Sequence, residues 1–134
     1  MKRIKIYISA LFFIALTFHS CNFSDSTENL GDDYFYRNEG ETVKDILCKK
    51  ANGGEIPATV TNFDFNDEFI IAKQKPKLPQ DPLYDNNYKY NRGDKEYYYW
   101  IIIKEGNLVL GPLILVEFNS QKIKYKVPND LTLK

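Results

Sequence analysis

The sequence is poor in the residues that most enzymes use for nucleophilic and metal chemistry. It contains one histidine, His19, and two cysteines, Cys21 and Cys48, among 134 residues. Because His19 lies near the N-terminus, removal of a leader would leave a chain without histidine. Such a chain cannot form the Ser-His-Asp or Cys-His arrangements that activate a nucleophile, nor a tetrahedral zinc site of cysteines and histidines. We therefore expect a non-enzymatic protein with no catalytic residues, no metal and no cofactor.

The first 20 residues have the three parts of a secretory signal peptide. A basic start with Lys2, Arg3 and Lys5 is followed by 13 uncharged residues, at positions 6–18, and by the small residue Ser20. A transmembrane helix needs roughly 20 apolar residues, so this run is too short to span a bilayer. The alternative, a buried core helix, has no comparable apolar partner downstream. We predict that these residues are an export signal.

The residues around Cys21 resemble the lipobox of bacterial lipoproteins, in which a small residue precedes a cysteine that is acylated and becomes the first mature residue. Ser20 and Leu16 fit this pattern loosely, whereas Phe18 and His19 depart from it. The resemblance implies lipidation of Cys21, with palmitate as a typical chain, because several acyl chains anchor a protein durably where one is marginal. The alternative is an ordinary secreted protein in which this thiol is free or forms a disulfide.

Residues 21–33 are polar and rich in turn formers, which predicts a flexible tether between lipid and domain. Ser24, Asp25 and Glu28 loosely resemble the acidic patch that follows the cysteine in surface-exported lipoproteins of Bacteroides-like bacteria. Asn22 is not the aspartate associated with inner-membrane retention in enteric bacteria. The resemblance implies an outer-membrane lipoprotein of the cell envelope, facing the periplasm or the cell surface.

The charge balance argues against a nucleic-acid partner. The full chain carries 18 basic and 18 acidic residues, and removal of residues 1–20 leaves 15 basic and 18 acidic residues, a formal charge of −3. Nucleic-acid-binding proteins usually carry a basic patch or stripe, and a polybasic membrane contact requires clustered cations. We therefore expect the N-terminal lipid alone to hold the protein at the membrane.

Short strand patterns alternate with turn signals after the tether, which predicts a single α+β domain over residues 34–134. The expected fold is a small antiparallel β-sheet of five or six strands with one short helix in the C-terminal region. The strand candidates are residues 34–36, 43–48, 58–65, 69–72, 97–103 and 108–110. Seven consecutive β-favouring residues at 97–103 predict a strand that is covered on both faces.

The helix is predicted over residues 112–122. Pro112 suits the first turn of a helix and Glu117 suits its dipole. Val116 and Ser120 share one helical face, whereas Phe118 lies on another. A strand is the alternative for this segment, because β-branched residues are frequent in it and the residues that follow alternate.

Residues 75–96 form the longest irregular segment, and such a connection inside a small domain is usually functional or disordered. It contains Tyr84, Tyr88 and Tyr90, which we take as candidate ligand-binding residues. Tyrosine offers a large apolar body with a polar tip, suited to a sugar ring or a partner protein. The alternative is that the three rings fold back and cover the sheet. Paired carboxylates can catalyse glycoside hydrolysis without histidine, so a hydrolase is a further alternative. The carboxylates that flank the segment are Asp81, Asp85, Asp94 and Glu96.

Four short segments in the second half of the chain carry a family resemblance. They are Phe69-Ile70-Ile71-Ala72-Lys73-Gln74, Tyr99-Trp100-Ile101-Ile102, Gly111-Pro112-Leu113 with Glu117-Phe118, and Val127-Pro128 with Leu131 and Leu133. These segments are similar to an uncharacterised family of small bacterial lipoproteins of Bacteroides-like type, which carries a domain of unknown function. The resemblance implies a compartment, a domain outline and a helix after the Gly-Pro-Leu segment, but no activity.

These observations together predict a lipid-anchored, non-catalytic module that binds an envelope protein or another ligand. Glycan binding through the tyrosine-rich stretch 82–99 is one alternative. A carboxylate-based hydrolase, using the acidic residues of the same stretch, is another.

Overall fold

A computed structural model of the chain describes residues 25–134, so the predicted signal peptide, Cys21 and the start of the tether lie outside the described residues. The strands are β1 (Ser26–Gly31), β2 (Tyr34–Glu39), β3 (Val43–Cys48), β4 (Val60–Phe65), β5 (Phe69–Gln74), β6 (Tyr98–Ile103) and β7 (Leu108–Leu113), and the helix is α1 (Leu115–Lys124). The first three strands form one antiparallel sheet, and β4 to β7 form a second in chain order. The predicted antiparallel α+β fold with one C-terminal helix is confirmed, and the described residues divide seven strands between two sheets.

The second sheet lies in the middle of three layers. Ile70, Trp100 and Ile102 belong to an inner core shared with the first sheet, whereas Ile71 and Ile101 belong to an outer core shared with α1. Successive side chains of a strand point to opposite faces, so β5 and β6 supply both cores at once. This arrangement confirms that the strand predicted at 97–103 is covered on both faces.

The first sheet closes the inner core with three fully buried side chains, Leu30, Tyr34 and Ile46. Ile46 also exchanges two backbone hydrogen bonds with Ile56, at 3.1 and 2.8 Å. This bridge ties β3 to the segment that leads into β4. The two sheets are therefore joined by backbone hydrogen bonds as well as by apolar packing.

β1 lies within the segment predicted as a flexible tether. Its residues are polar and exposed except for Leu30, yet they pair with β2 from Ser26 opposite Asn38 to Gly31 opposite Tyr34. An edge strand with one buried side chain can be as polar as a linker, because backbone hydrogen bonds hold it in place. Among the described residues the folded part therefore begins at Ser26, ahead of the predicted start at residue 34.

α1 begins later than predicted. The Gly-Pro-Leu segment 111–113 lies in β7, and Ile114 keeps an extended backbone before the helix starts. The backbone N–H of Ile114 donates to Oε2 of Glu117 at 3.0 Å, which satisfies one free donor of the first turn. The prediction of a helix over 112–122 was correct in type, but proline also fits an edge strand, and here it does so.

α1 packs on β6 and β7 through Phe118, which is 5% exposed. The ring of Phe118 lies 5.2 Å from that of Tyr99 on β6. After the helix, Val127 and Leu131 turn back and complete the outer core. One side of α1 is thus buried against the second sheet.

Candidate functional site

Asp45 on β3 is a charged side chain with no exposed surface. Arg37, its partner on β2, donates Nε to Oδ1 at 3.0 Å and Nη2 to Oδ2 at 2.6 Å. The Tyr84 hydroxyl donates to Oδ2 at 2.6 Å. A bidentate arginine–carboxylate pair forms strong hydrogen bonds, and the hydrogen bond that Arg37 donates to Asp45 raises the pKa of Arg37. Burial, followed by the bond to Asp45, raises the pKa of Tyr84.

The hydroxyl of Tyr84 also accepts a hydrogen bond from the backbone N–H of Ala58 at 3.0 Å. The donor and acceptor functions of this hydroxyl are therefore both used within the chain. Tyr84 connects the irregular segment to β3 and to the residues before β4. The three-residue network of Arg37, Asp45 and Tyr84 acts as a structural clamp.

Tyr88 and Tyr90 pack onto the second sheet. The Tyr88 ring meets Trp100 edge to face at 4.9 Å, and its hydroxyl lies 3.4 Å from the backbone oxygen of Glu55. The Tyr90 hydroxyl accepts a hydrogen bond from Nε2 of Gln74 at 2.9 Å. Burial raises the pKa of Tyr88 and that of Tyr90 to about 12.

The position of Tyr90 follows from the hydrogen bonding of Gln74. Its side chain is fully buried, and Oε1 accepts from Nε1 of Trp100 at 2.7 Å while Nε2 also donates to the backbone oxygen of Pro57 at 2.8 Å. A buried amide without partners is costly. Tyr90 completes the hydrogen bonding of this amide.

Tyr88 and Tyr90 therefore fold back onto the sheet, as the alternative interpretation predicts, and Tyr84 is bound by Asp45 and Ala58. All three side chains are half-buried and make contacts within the chain. Ligand binding through Tyr84, Tyr88 and Tyr90 stays a prediction. The acidic residues of the same segment are exposed; they are Asp81, Asp85, Asp94 and Glu96.

Lys104, directly after β6, is a buried cation that no sequence motif indicates. It is 4% exposed, and its Nζ donates to the backbone oxygens of Leu30 and Asn66. Burial lowers the pKa of Lys104, an effect that Asp32 and Asp67 oppose. The lysine joins β1 to the turn between β4 and β5, so it links the two sheets and has a structural explanation.

Cys48 is a free thiol at the end of β3 and is half-buried against the inner core. A cysteine in such a place behaves as a small apolar side chain. Across residues 25–134, no three side chains of histidine, cysteine, aspartate or glutamate come together as a metal site.

The outer ridge of α1, which we define as Val116, Asn119, Ser120 and Ile123, has no partner among the described residues of the fold. Val116 is 71% exposed and Ile123 is 81% exposed, and the two polar residues between them are exposed as well. A surface helix normally places charged residues opposite its core face. Here the apolar residues occupy that position, two helical turns apart.

Charged residues flank the outer ridge. Glu117 and Lys124 lie on one side of it, seven positions apart along the same helix face. Leu115, which is 52% exposed, and Lys122 lie on the other side. The ridge therefore has one exposed apolar residue at each end, two polar residues at its centre and charged residues along its borders.

The described residues define a small antiparallel α+β protein that presents one side of α1 to solvent. The chain belongs to the family DUF3997, a family of proteins of unknown function, whose model matches residues 32–134. The predicted domain of unknown function is thereby confirmed, while the lipoprotein assignment stays a prediction. Comparisons with curated proteins and with solved structures gave no match. In the described part of the chain, no helix is long and apolar enough to cross a bilayer.

Proposed function

We propose that the protein is a lipid-anchored module of the cell envelope that binds without catalysing a reaction, and that the outer ridge of α1 is its contact surface. The observation that carries the proposal is the exposure of Val116 and Ile123, at 71% and 81%. The two residues lie two helical turns apart on the helix side that faces away from the core, and exposed apolar surface bordered by polar residues is typical of interaction sites.

The buried polar groups support a binding role over a catalytic one. Asp45 is held by Arg37 and Tyr84, and Lys104 is held by two backbone carbonyls. A catalytic group must be free to exchange a proton or to meet a substrate. These groups instead have partners that secure the fold.

The position of β1 supports close attachment to a lipid surface. Cys21 lies five residues before Ser26, the first residue of β1. Five extended residues span at most about 18 Å. If Cys21 is acylated, the folded domain lies next to the membrane, and its partner is then a component of the same envelope, most simply a protein at the outer membrane, on its periplasmic or its surface side.

The glycan alternative gains no support from the contacts of its candidate residues. The hydroxyl of Tyr84 donates a hydrogen bond to Asp45, and the hydroxyl of Tyr90 accepts one from Gln74. The ring of Tyr88 packs edge to face against Trp100. A sugar would have to displace these contacts in order to stack on the rings. We therefore propose the contact surface on α1 and not on the tyrosine-rich segment.

The anchor is tested by comparing Cys21→Ala with Cys48→Ala in cells supplied with a labelled fatty acid. We expect the wild type and Cys48→Ala to carry label and to fractionate with the outer membrane. Cys21→Ala should carry no label and should leave that fraction. Equal labelling of the two variants, or membrane retention of an unlabelled Cys21→Ala chain, would contradict the anchor.

The contact surface is tested by placing a photo-crosslinking amino acid at Val116 in the full chain, in intact cells. The matched control carries the same group at Leu83, which is 89% exposed in the irregular segment. We expect a discrete adduct from position 116 and none from position 83. The absence of an adduct at position 116 would overturn the ridge as a contact surface.

A further inference from the structure

We infer that the outer ridge of α1 docks against the same ridge of a second copy of this chain, antiparallel and related by a two-fold axis near Ser120. The inference rests on the proposed function, since it takes the ridge to be the contact surface. It names the partner of that surface as another molecule of this protein.

The order of residues along the ridge reads the same way in both directions. Val116 and Ile123 lie at its two ends, and Asn119 and Ser120 lie at its centre. When two such ridges face each other in opposite directions, Val116 of each copy meets Ile123 of the other. A two-fold interface requires this self-complementarity of one surface patch.

The charged border follows the same symmetry. In an antiparallel pair related by a two-fold axis, each border of one helix faces the same border of its copy. Glu117 near the helix start would then lie beside Lys124 near the end of the other helix, twice per dimer. Neither side chain has an ion-pair partner within residues 25–134. The opposed arrangement also aligns the two helix dipoles favourably.

Ser120 suits the centre of such an interface. It is the smallest side chain of the ridge, and the separation of packed helices depends on the side chains at their crossing. Its hydroxyl already donates to the backbone oxygen of Val116 at 3.1 Å. Covering Ser120 with a second helix would therefore leave no hydroxyl donor without a partner, and it would remove apolar surface from water on both sides.

A lipid surface fits the ridge less well than a second copy does. The mature chain has a formal charge of −3, so the domain as a whole is not attracted to anionic headgroups. The predicted anchor also enters the fold through β1, in the sheet that lies farthest from α1 in the three-layer order. The second sheet thus separates the ridge from the layer that receives the anchor.

The interface would be small and the dimer dissociable. A helix of 10 residues is about 15 Å long, and one helix face buries less than the roughly 800 Å² per partner of a standard interface. Confinement of two anchored chains to one membrane raises their effective concentration and favours pairing. We therefore expect a concentration-dependent dimer that is most populated in the membrane.

The first test uses Ser120→Cys in a Cys48→Ser background, expressed as the full chain and oxidised in intact cells. Two copies of position 120 meet at the proposed axis, so we expect a disulfide-linked dimer at about tenfold the yield of a Leu83→Cys control in the same background. Yields that do not differ between positions 120 and 83 would overturn the two-fold pairing.

The second test uses charge reversal in the protein expressed from the whole sequence, purified from membranes in detergent. Lys124→Glu alone and Glu117→Lys alone each place like charges together twice per dimer, and each should weaken self-association by about tenfold. Mixing the two variants restores both opposite-charge contacts and should yield heterodimers. Because Glu117→Lys also removes the acceptor of the Ile114 N–H, both variants are first checked for wild-type unfolding in urea. When both variants are folded, failure to form heterodimers would overturn the proposal.

The photo-crosslink at Val116 separates this inference from the proposed function. An adduct with the mass of two chains supports the second copy. An adduct with a different protein or with lipid overturns the dimer but leaves the ridge as a contact surface. No adduct at all overturns both.

Discussion

Replacing Tyr84 with phenylalanine tests the clamp at Asp45, because the change removes one hydroxyl and keeps the ring. That hydroxyl donates to Asp45 at 2.6 Å and accepts from the Ala58 N–H at 3.0 Å. A hydrogen bond to a charged group contributes about 1.5–3 kcal/mol, and a buried N–H left without an acceptor costs about 1 kcal/mol more. We expect Tyr84→Phe to lower the free energy of unfolding by about 3 kcal/mol.

The measurement is urea unfolding of the full-length protein, with Tyr97→Phe as the matched control. Tyr97 is 46% exposed, and the control keeps the ring that lies 4.3 Å from Nζ of Lys73. Surface changes of this kind usually alter stability by less than about 0.5 kcal/mol. The comparison requires equal dependence on urea concentration in all three proteins, so that the midpoints report stability alone.

A double-mutant cycle identifies the hydrogen bond as the cause. Asp45→Asn and Tyr84→Phe share one contact, so their combined loss should be smaller than the sum of the separate losses by about 1 kcal/mol or more. Additive losses, or a Tyr84→Phe loss equal to that of Tyr97→Phe, would refute the clamp.

Two further predictions concern the helix face and alkaline stability. Phe118→Ala should lower the free energy of unfolding by about 3–4 kcal/mol. Val116→Ala should change it by less than about 0.5 kcal/mol. Equal losses in urea unfolding would contradict the packing of Phe118, and not Val116, against the sheet. The pKa values of Tyr88 and Tyr90 are raised by burial to about 12, whereas unfolded tyrosine ionises near pH 10. Their contribution to stability is therefore intact below pH 10 and is lost as pH rises from about 10 towards 12. Unfolding measured at steps of pH should show a shallower loss for Tyr88→Phe, and identical pH profiles would contradict the assignment.

Local patterns predicted the strands well where burial on both faces required unbroken apolar residues. The segments predicted at 69–72 and 97–103 coincide closely with β5 and β6. Such runs have few alternatives, since they are too short for a core helix and rich in β-branched and aromatic residues. The local sequence and the fold agree most closely at these places.

The pattern was ambiguous where backbone pairing decided the outcome. The polar residues of β1 carry no hydrophobic signal, and their strand exists because β2 lies beside them. Pro112 is compatible with both a helix start and an edge strand. The pairing of residue 113 with Tyr99 places this segment in β7.

In the candidate site, the local sequence does not predict the contacts that the fold creates. Asp45 stands between Lys44 and Ile46 in a strand pattern that permits an exposed carboxylate. Its buried clamp depends on Tyr84, which is 39 positions away in sequence. No local signal could pair them, because the contact exists only once the irregular segment has folded over the first sheet.

Three features follow from the order of residues alone, because each needs only local chemistry: the shortage of histidine and cysteine, the predicted export signal before Cys21, and the run of β-favouring residues that forms β6. The partners of the polar and aromatic side chains required the folded chain. Val116 and Phe118 illustrate this on one helix, since both are apolar and lie two positions apart. Packing on β6 buries Phe118 and leaves Val116 in solvent, because a helix can turn only one of its sides towards the sheet.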